Sequence, residues 1–180
     1  TLGRRAGTVG HLDSVELRSY RDASGAYDAF DKGRVDWALV PVERYDQAVE
    51  AHGDAAFSPF HAELYFGMRL TTPGLDKLEL RQAIVAAIDR SAIVRAVYAD
   101  LADPLTTIVP EGVPGRDSDR CTSCAHDVAR AKALVAKAYP DGKVPTIPID
   151  FDQSPAQAAM AGLVSKQLRA VGIPTTLRPK

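Results

Sequence analysis

The chain has 180 residues, 46% apolar and 25% charged, with 22 basic against 23 acidic side chains and a formal net charge of −1. That length allows one ordinary domain or two small ones, with enough apolar residues for a core. The near-neutral balance argues against nucleic acid or an anionic membrane as the main partner. No stretch reaches the roughly 18 consecutive apolar residues of a membrane span.

The chain opens "TLGRRAGTVG", without an initiator Met or an apolar leader core, and ends "GIPTTLRPK". Both ends read as those of a piece taken from something longer, so the absence of a visible signal peptide carries no information on compartment. "VELRSY" (15–20) alternates apolar and polar residues as a half-buried strand does. In "DASGAYDAFDKG", Ala23, Ala26, Tyr27 and Phe30 form one face of a short helix stopped by Gly33. "VDWALVPV" (35–42) is predicted as a buried strand ended by Pro41, and "ERYDQAVEAHG" as a second short helix closed by Gly53. "AELYFGMRL" (62–70) is a third strand candidate before the turn "TTPGLD".

From Leu78 to Ala99 two helices run nearly end to end, the first with an apolar stripe of Leu80, Ala83, Ile84, Ala87 and Ile88. Ser91 stands where an N-cap of the second belongs. Residues 100–119 are rich in Pro and Gly and predict a long ordered loop. Val128, Ala131, Leu134, Val135 and Ala138 mark a further amphipathic helix capped by Asp127. "YPDGKVP" turns into the strand "TIPIDF". Ser154–Pro155 then starts a helix, cap followed by proline at the first helical position. That helix ends at Gly172, and "IPTTLRP" begins the last strand. Strands alternating with helices predict an α/β sheet packed by helices, as a single unit over 1–180.

Few residues carry chemistry. The only two cysteines, in "RCTSCAHDVARAKAL", sit three apart at the mouth of a helix. They fit a redox couple, whose first thiol would be activated at a helix N-terminus. They also fit half of a metal site with His126, although no second CxxC exists, or a structural disulfide. His11, His52, His61 and His126 are scattered, without the i, i+4 spacing of a metalloprotease helix. No GxSxG, GxxxxGK[ST] or GxGxxG occurs. Asp22, Asp28, Asp31 and Asp36 read as a solvated helix face. No cofactor is expected.

Several linked stretches carry a resemblance. "LRQAIVAAIDRSAIVRAV" followed by "TTIVPEGVPG", after the aromatic strand "LYFGMRL", is similar in order and spacing to a signature of the family 5 extracellular solute-binding proteins of peptide and nickel transporters. "YDAFDKGRVDWALVPVERY", "HDVARAKALVAKAYPDGKVPTIPIDFDQSP" and "AGLVSKQLRAVGIPTTLRP" resemble its flanking motifs, so the likeness runs from about Val15 to Pro179. Arg69 stands where that family usually has Asn, and Glu79 where it often has Arg.

The resemblance implies a periplasmic-binding-protein-like α/β lobe, a mixed sheet packed by helices, forming most of the second lobe of a receptor that closes on its solute. It implies no catalysis, an extracytoplasmic location, and ABC permease subunits as partners of a monomeric protein. The membrane would be met only through a lipid anchor, and nucleic acid not at all. It also implies that the solute, a peptide or another small molecule, meets the loops at strand ends. Those loops hold Pro41 in "VPV", and Asp152, Gln153, Ser154 and Gln157 in "DQSPAQ" at a helix start. Capping alone explains Ser154 equally well. Arg69 could pair with a ligand carboxylate or make an internal ion pair. In an exported receptor Cys121 and Cys124 are expected as a disulfide. The rival function is thiol–disulfide exchange by the same pair, and a third is a sensory receptor domain.

Overall fold

A computed structural model describes residues 2–3, 11–57, 62–105, 107, 109–110, 113–116, 121 and 124–180. The chain divides into two compact units, Thr1–Ser58 and Pro59–Lys180.

In the first unit, β1 (Leu2–Gly3) pairs antiparallel with β2 (Ser14–Val15). Helix α1 (Ala23–Asp31) starts at Asp22, whose carboxylate accepts the Gly25 N–H at 2.8 Å. A 3₁₀ turn at Val42–Arg44 leads into α2 (Tyr45–His52). Gly53, at φ +74°, closes α2 by donating its N–H to the Val49 carbonyl at 2.8 Å. Tyr27 and Ala29 of α1 and Ala48 of α2 are buried. The Arg44 guanidinium lies 4.5 Å from the Tyr27 ring centroid and bridges Asp28 and Asp31 of α1 at 2.5 and 2.9 Å. One cation thus ties α2 to two carboxylates and an aromatic face of α1.

The second unit holds α3 (Leu78–Ala87), α4 (Arg90–Tyr98), α5 (Val128–Ala138), β3 (Ile147–Phe151), α6 (Pro155–Ala170) and β4 (Thr175–Pro179). β3 and β4 pair in parallel, Ile147 opposite Thr175 and Asp150 opposite Arg178. Parallel neighbours need a crossover, and α6 supplies it, so this is a βαβ unit. Leu80, Ala83, Ile84 and Ala87 of α3 are buried with Ala131, Val135 and Ala138 of α5. Small side chains on both helices allow the close α3–α5 packing. Ile147, Ile149, Met160, Val164, Leu168, Val171 and Ile173 continue the same core beneath the strands. The two buried polar side chains of this core pair with each other: Ser165 Oγ meets Thr175 Oγ1 at 2.7 Å, and Arg169 Nε donates to Thr175 Oγ1 at 3.0 Å.

Three expected strands are corrected. Of "VELRSY" only Val15 lies in a strand, and neither 35–42 nor 62–70 forms one. Alternation makes a segment fit a pleated surface, but a strand exists only through a ladder partner. None faces these segments among the described residues. Their large apolar side chains are exposed at several positions, Trp37 at 69% and Tyr65 at 77%. The N-cap of α4 is also corrected from Ser91 to Asp89, whose carboxylate accepts the Ala92 N–H at 2.9 Å. The helices, the turn at Gly142, β3 and β4 lie where the periodicity puts them. His61 and most of 117–123 lie outside the described residues.

Candidate functional site at the carboxyl ends of β3 and β4

In parallel α/β sheets the carboxyl ends of the strands, with the helix starts that follow, form the natural ligand edge. Here that edge is the loop from Phe151 to the first turn of α6, together with the end of β4. Ser154 Oγ accepts the Gln157 N–H at 3.3 Å and caps α6 ahead of Pro155. Gln157 occupies the third helical position, where a capping box would send its side chain back to the cap residue's N–H. It reaches further: Gln157 Oε1 accepts the Asp152 N–H at 3.1 Å, and Gln157 Nε2 donates to Asp152 Oδ2 at 3.4 Å. Asp152, Ser154 and Gln157 are therefore brought together by their own hydrogen bonds, with exposed Gln153 between them.

Next to this loop lies a charge cluster that sequence reasoning missed. Asp150 and Arg178 are register partners on the two strands, joined by Nε–Oδ1 at 2.6 Å and Nη2–Oδ2 at 3.1 Å. Lys180 Nζ lies 4.0 Å from the same carboxylate. The Arg178 hydrogen bond holds the Asp150 carboxyl below its ordinary value, with Arg178, Lys180 and Arg69 adding their positive fields. Arg69 is thus electrostatically coupled to an acidic residue of its own unit while remaining exposed. The available signal was the pair of opposite charges in "IDF" and "LRPK", at matched places in the two strands flanking one crossover helix. Three cations around one carboxylate leave this edge locally positive.

Pro41 lies in the other unit, is buried, and accepts the Arg44 N–H on its carbonyl at 3.0 Å as the 3₁₀ turn begins. At the opposite, amino end of β3 and β4 a shallow cleft of about 580 Å³ is lined by Thr146, Arg169, Pro174 and Thr176. There Arg169 is engaged by the Thr175 carbonyl at 2.7 Å. Cys121 and Cys124 are disulfide-bonded, with Cα atoms 5.4 Å apart. Among the described residues no group of three His, Cys, Asp or Glu side chains is placed to hold a metal ion.

Comparison with known proteins places this architecture. Residues 5–180 match the family described as bacterial extracellular solute-binding proteins, family 5 Middle. The glutathione-binding protein GsiB of Salmonella choleraesuis (strain SC-B67) is 29% identical over 167 residues, covering 90% of this chain and 32% of that protein. The chain thus spans about a third of the length of this relative. Among solved structures, Burkholderia pseudomallei OppA superposes with a TM-score of 0.72 at 18% identity, over 88% of this chain and 33% of that one. AgaA from A. tumefacien R10, in complex with agropinic acid, gives 0.66 at 26% identity, over 89% and 33%. The expected periplasmic-binding-protein-like α/β fold is borne out by these likenesses. With the family matched over nearly its whole length, the chain belongs to the bacterial extracellular solute-binding proteins of family 5.

Proposed function

We propose that the chain is one α/β lobe of the substrate-binding component of an ABC importer, which takes a peptide or similar small solute by closing two lobes over it. The observation that carries this is the family match over residues 5–180. The GsiB relative is named for glutathione, a peptide, and AgaA holds agropinic acid, so a solute of that size with polar and carboxylate groups suits this chain. Two further features support a lobe that continues into a larger protein. The chain spans 32% of its GsiB relative, and the apolar segments 35–41 and 62–70 have no strand partner among the described residues. In a folded whole such side chains are covered.

The carboxyl edge of β3 and β4 is the solute-facing part. Asp152, Gln153, Ser154 and Gln157 offer hydrogen-bonding groups to a solute's backbone, and Arg69 offers a guanidinium to a carboxylate. Pro41 belongs to the other unit, where it starts a 3₁₀ turn. The protein works outside the cytoplasm, held at the membrane by a lipid anchor and delivering solute to permease subunits. The Cys121–Cys124 disulfide suits that oxidising setting. No chemical step is involved. The matched family and relatives are binding proteins, and nothing among them favours thiol–disulfide exchange as the function.

Native mass spectrometry of the full-length protein, purified without denaturation, tests this. A small solute held non-covalently at one per chain, released on denaturation and replaceable by an added peptide, is the expected result. A chain that never retains a solute, yet catalyses reduction of insulin disulfides, would overturn it in favour of the oxidoreductase.

A further inference from the structure

The break between α3 and α4 is gripped from two sides. From α6, Gln167 Oε1 accepts the Asp89 N–H at 3.0 Å, and Gln167 Nε2 donates to the Asp89 carbonyl at 3.4 Å. From the loop before α5, the Asp127 N–H donates to the Ala86 carbonyl at 2.8 Å. That carbonyl lies in the last turn of α3, where no intrahelical partner remains. Arg90 Nη1 donates to the Cys124 carbonyl at 3.0 Å and to Ile88 O at 3.4 Å. His126 Nδ1 lies 3.8 Å from the Asp89 carboxylate, which also caps α4. Arg90 is half-buried, burial disfavours its charge, and hydrogen-bond acceptors around it offset that cost.

The Cys124 carbonyl is such an acceptor, and the disulfide fixes where it points. Beside the bond that joins the two cysteines, the Cys124 N–H donates to the Cys121 carbonyl at 3.3 Å. We propose that the Cys121–Cys124 disulfide is a redox-sensitive clamp on the α3–α4 elbow. Oxidised, it holds the Cys124 carbonyl on Arg90 and the loop on the end of α3. Reduced, it lets the loop leave and the elbow loosen, while the βαβ unit beneath stays folded. Reduction needs a two-electron dithiol: the S–S bond breaks, two cysteine thiols form, and the dithiol becomes a disulfide. The clamp does not depend on which solute, if any, the protein binds, so its test involves none.

Hydrogen exchange of the full-length protein, before and after treatment with dithiothreitol, reads the clamp directly. Reduction should speed exchange about tenfold or more at residues 88–93 and 124–130, the effect of losing one charge-assisted hydrogen bond, with 147–151 and 160–168 unchanged. Arg90→Ala should loosen 88–93 by itself while the disulfide stays intact, and reduction should then add nothing further at the elbow. The proposal is overturned by free thiols in the untreated protein, by elbow rates within about twofold after reduction, or by a rise spread over the whole unit, which would make the bond a general staple.

Discussion

Gly74→Ala isolates how tightly the turn before α3 is built. Gly74 has φ +93°, and a Cβ placed there would lie 2.7 Å from Pro145 Cγ, 2.9 Å from the Tyr139 hydroxyl and 3.1 Å from Leu80 Cδ2. Leu80 cannot retreat cheaply, because it is fully buried. Lys77 sits 4.0 Å over the Tyr139 ring and donates to the Ala138 carbonyl at 2.8 Å, pinning the turn to the end of α5. The left-handed backbone costs an alanine about 1 kcal/mol, and forcing the neighbours apart adds about 2 kcal/mol. The sum is about 3 kcal/mol of destabilisation. Gly142→Ala is the control, because its φ is +72° but nothing lies within 4 Å of its would-be Cβ. It should cost only the backbone part, about 1 kcal/mol. Urea unfolding followed by far-UV circular dichroism is the assay, since α3 to α6 dominate that signal. The single tryptophan, Trp37, belongs to the other unit and would miss it. Equal losses for the two variants would refute the steric part of the reasoning.

Three further outcomes are expected. Thr175→Val strands the buried Ser165 hydroxyl and one Arg169 N–H, costing about 1–3 kcal/mol. Adding Ser165→Ala should recover part of that loss in a double-mutant cycle. Asp150 has a folded-state pKa below its ordinary 3.8, so its contribution is complete above about pH 4 and is lost as pH falls through the folded value. Asp150→Asn should therefore flatten the acid end of the stability–pH curve and leave the neutral region's slope unchanged. Replacing Cys121 and Cys124 together by alanine opens only a very short loop, and should reproduce the effect of reduction: faster hydrogen exchange at 88–93 and 124–130, with 147–151 and 160–168 keeping their protection.

Much of the second unit was legible because burial there is local and periodic. The stripe of Leu80, Ala83, Ile84 and Ala87 faces the core as its spacing requires. Asp127 and Ser154 cap the helices they precede, accepting the Arg130 and Gln157 N–H groups at 2.8 and 3.3 Å. A cap and a stripe are properties of one segment. A strand is a property of two, which is why "VDWALVPV" and "AELYFGMRL" read as strands yet stand without partners here. Ser91 failed as a cap for a different reason: the chain leaves α3 through an extended Ile88–Asp89 link, and Asp89 reaches the first free N–H of α4 before Ser91 can. The candidate site was legible only in part. Capping chemistry picks out Ser154 and Gln157 from sequence, whereas the Asp150–Arg178 pair depends on strand register, which appears only once β3 and β4 are laid side by side.

The most direct test of the central claim is calorimetric titration of the full-length protein with glutathione and a set of tripeptides. Saturable binding of at least one of them at one site per chain, with a dissociation constant on the order of 1 µM or tighter, is the expected result, weakened when Arg69 or Gln157 is replaced by alanine. Heats no larger than dilution for every one of these solutes would contradict a peptide-binding lobe.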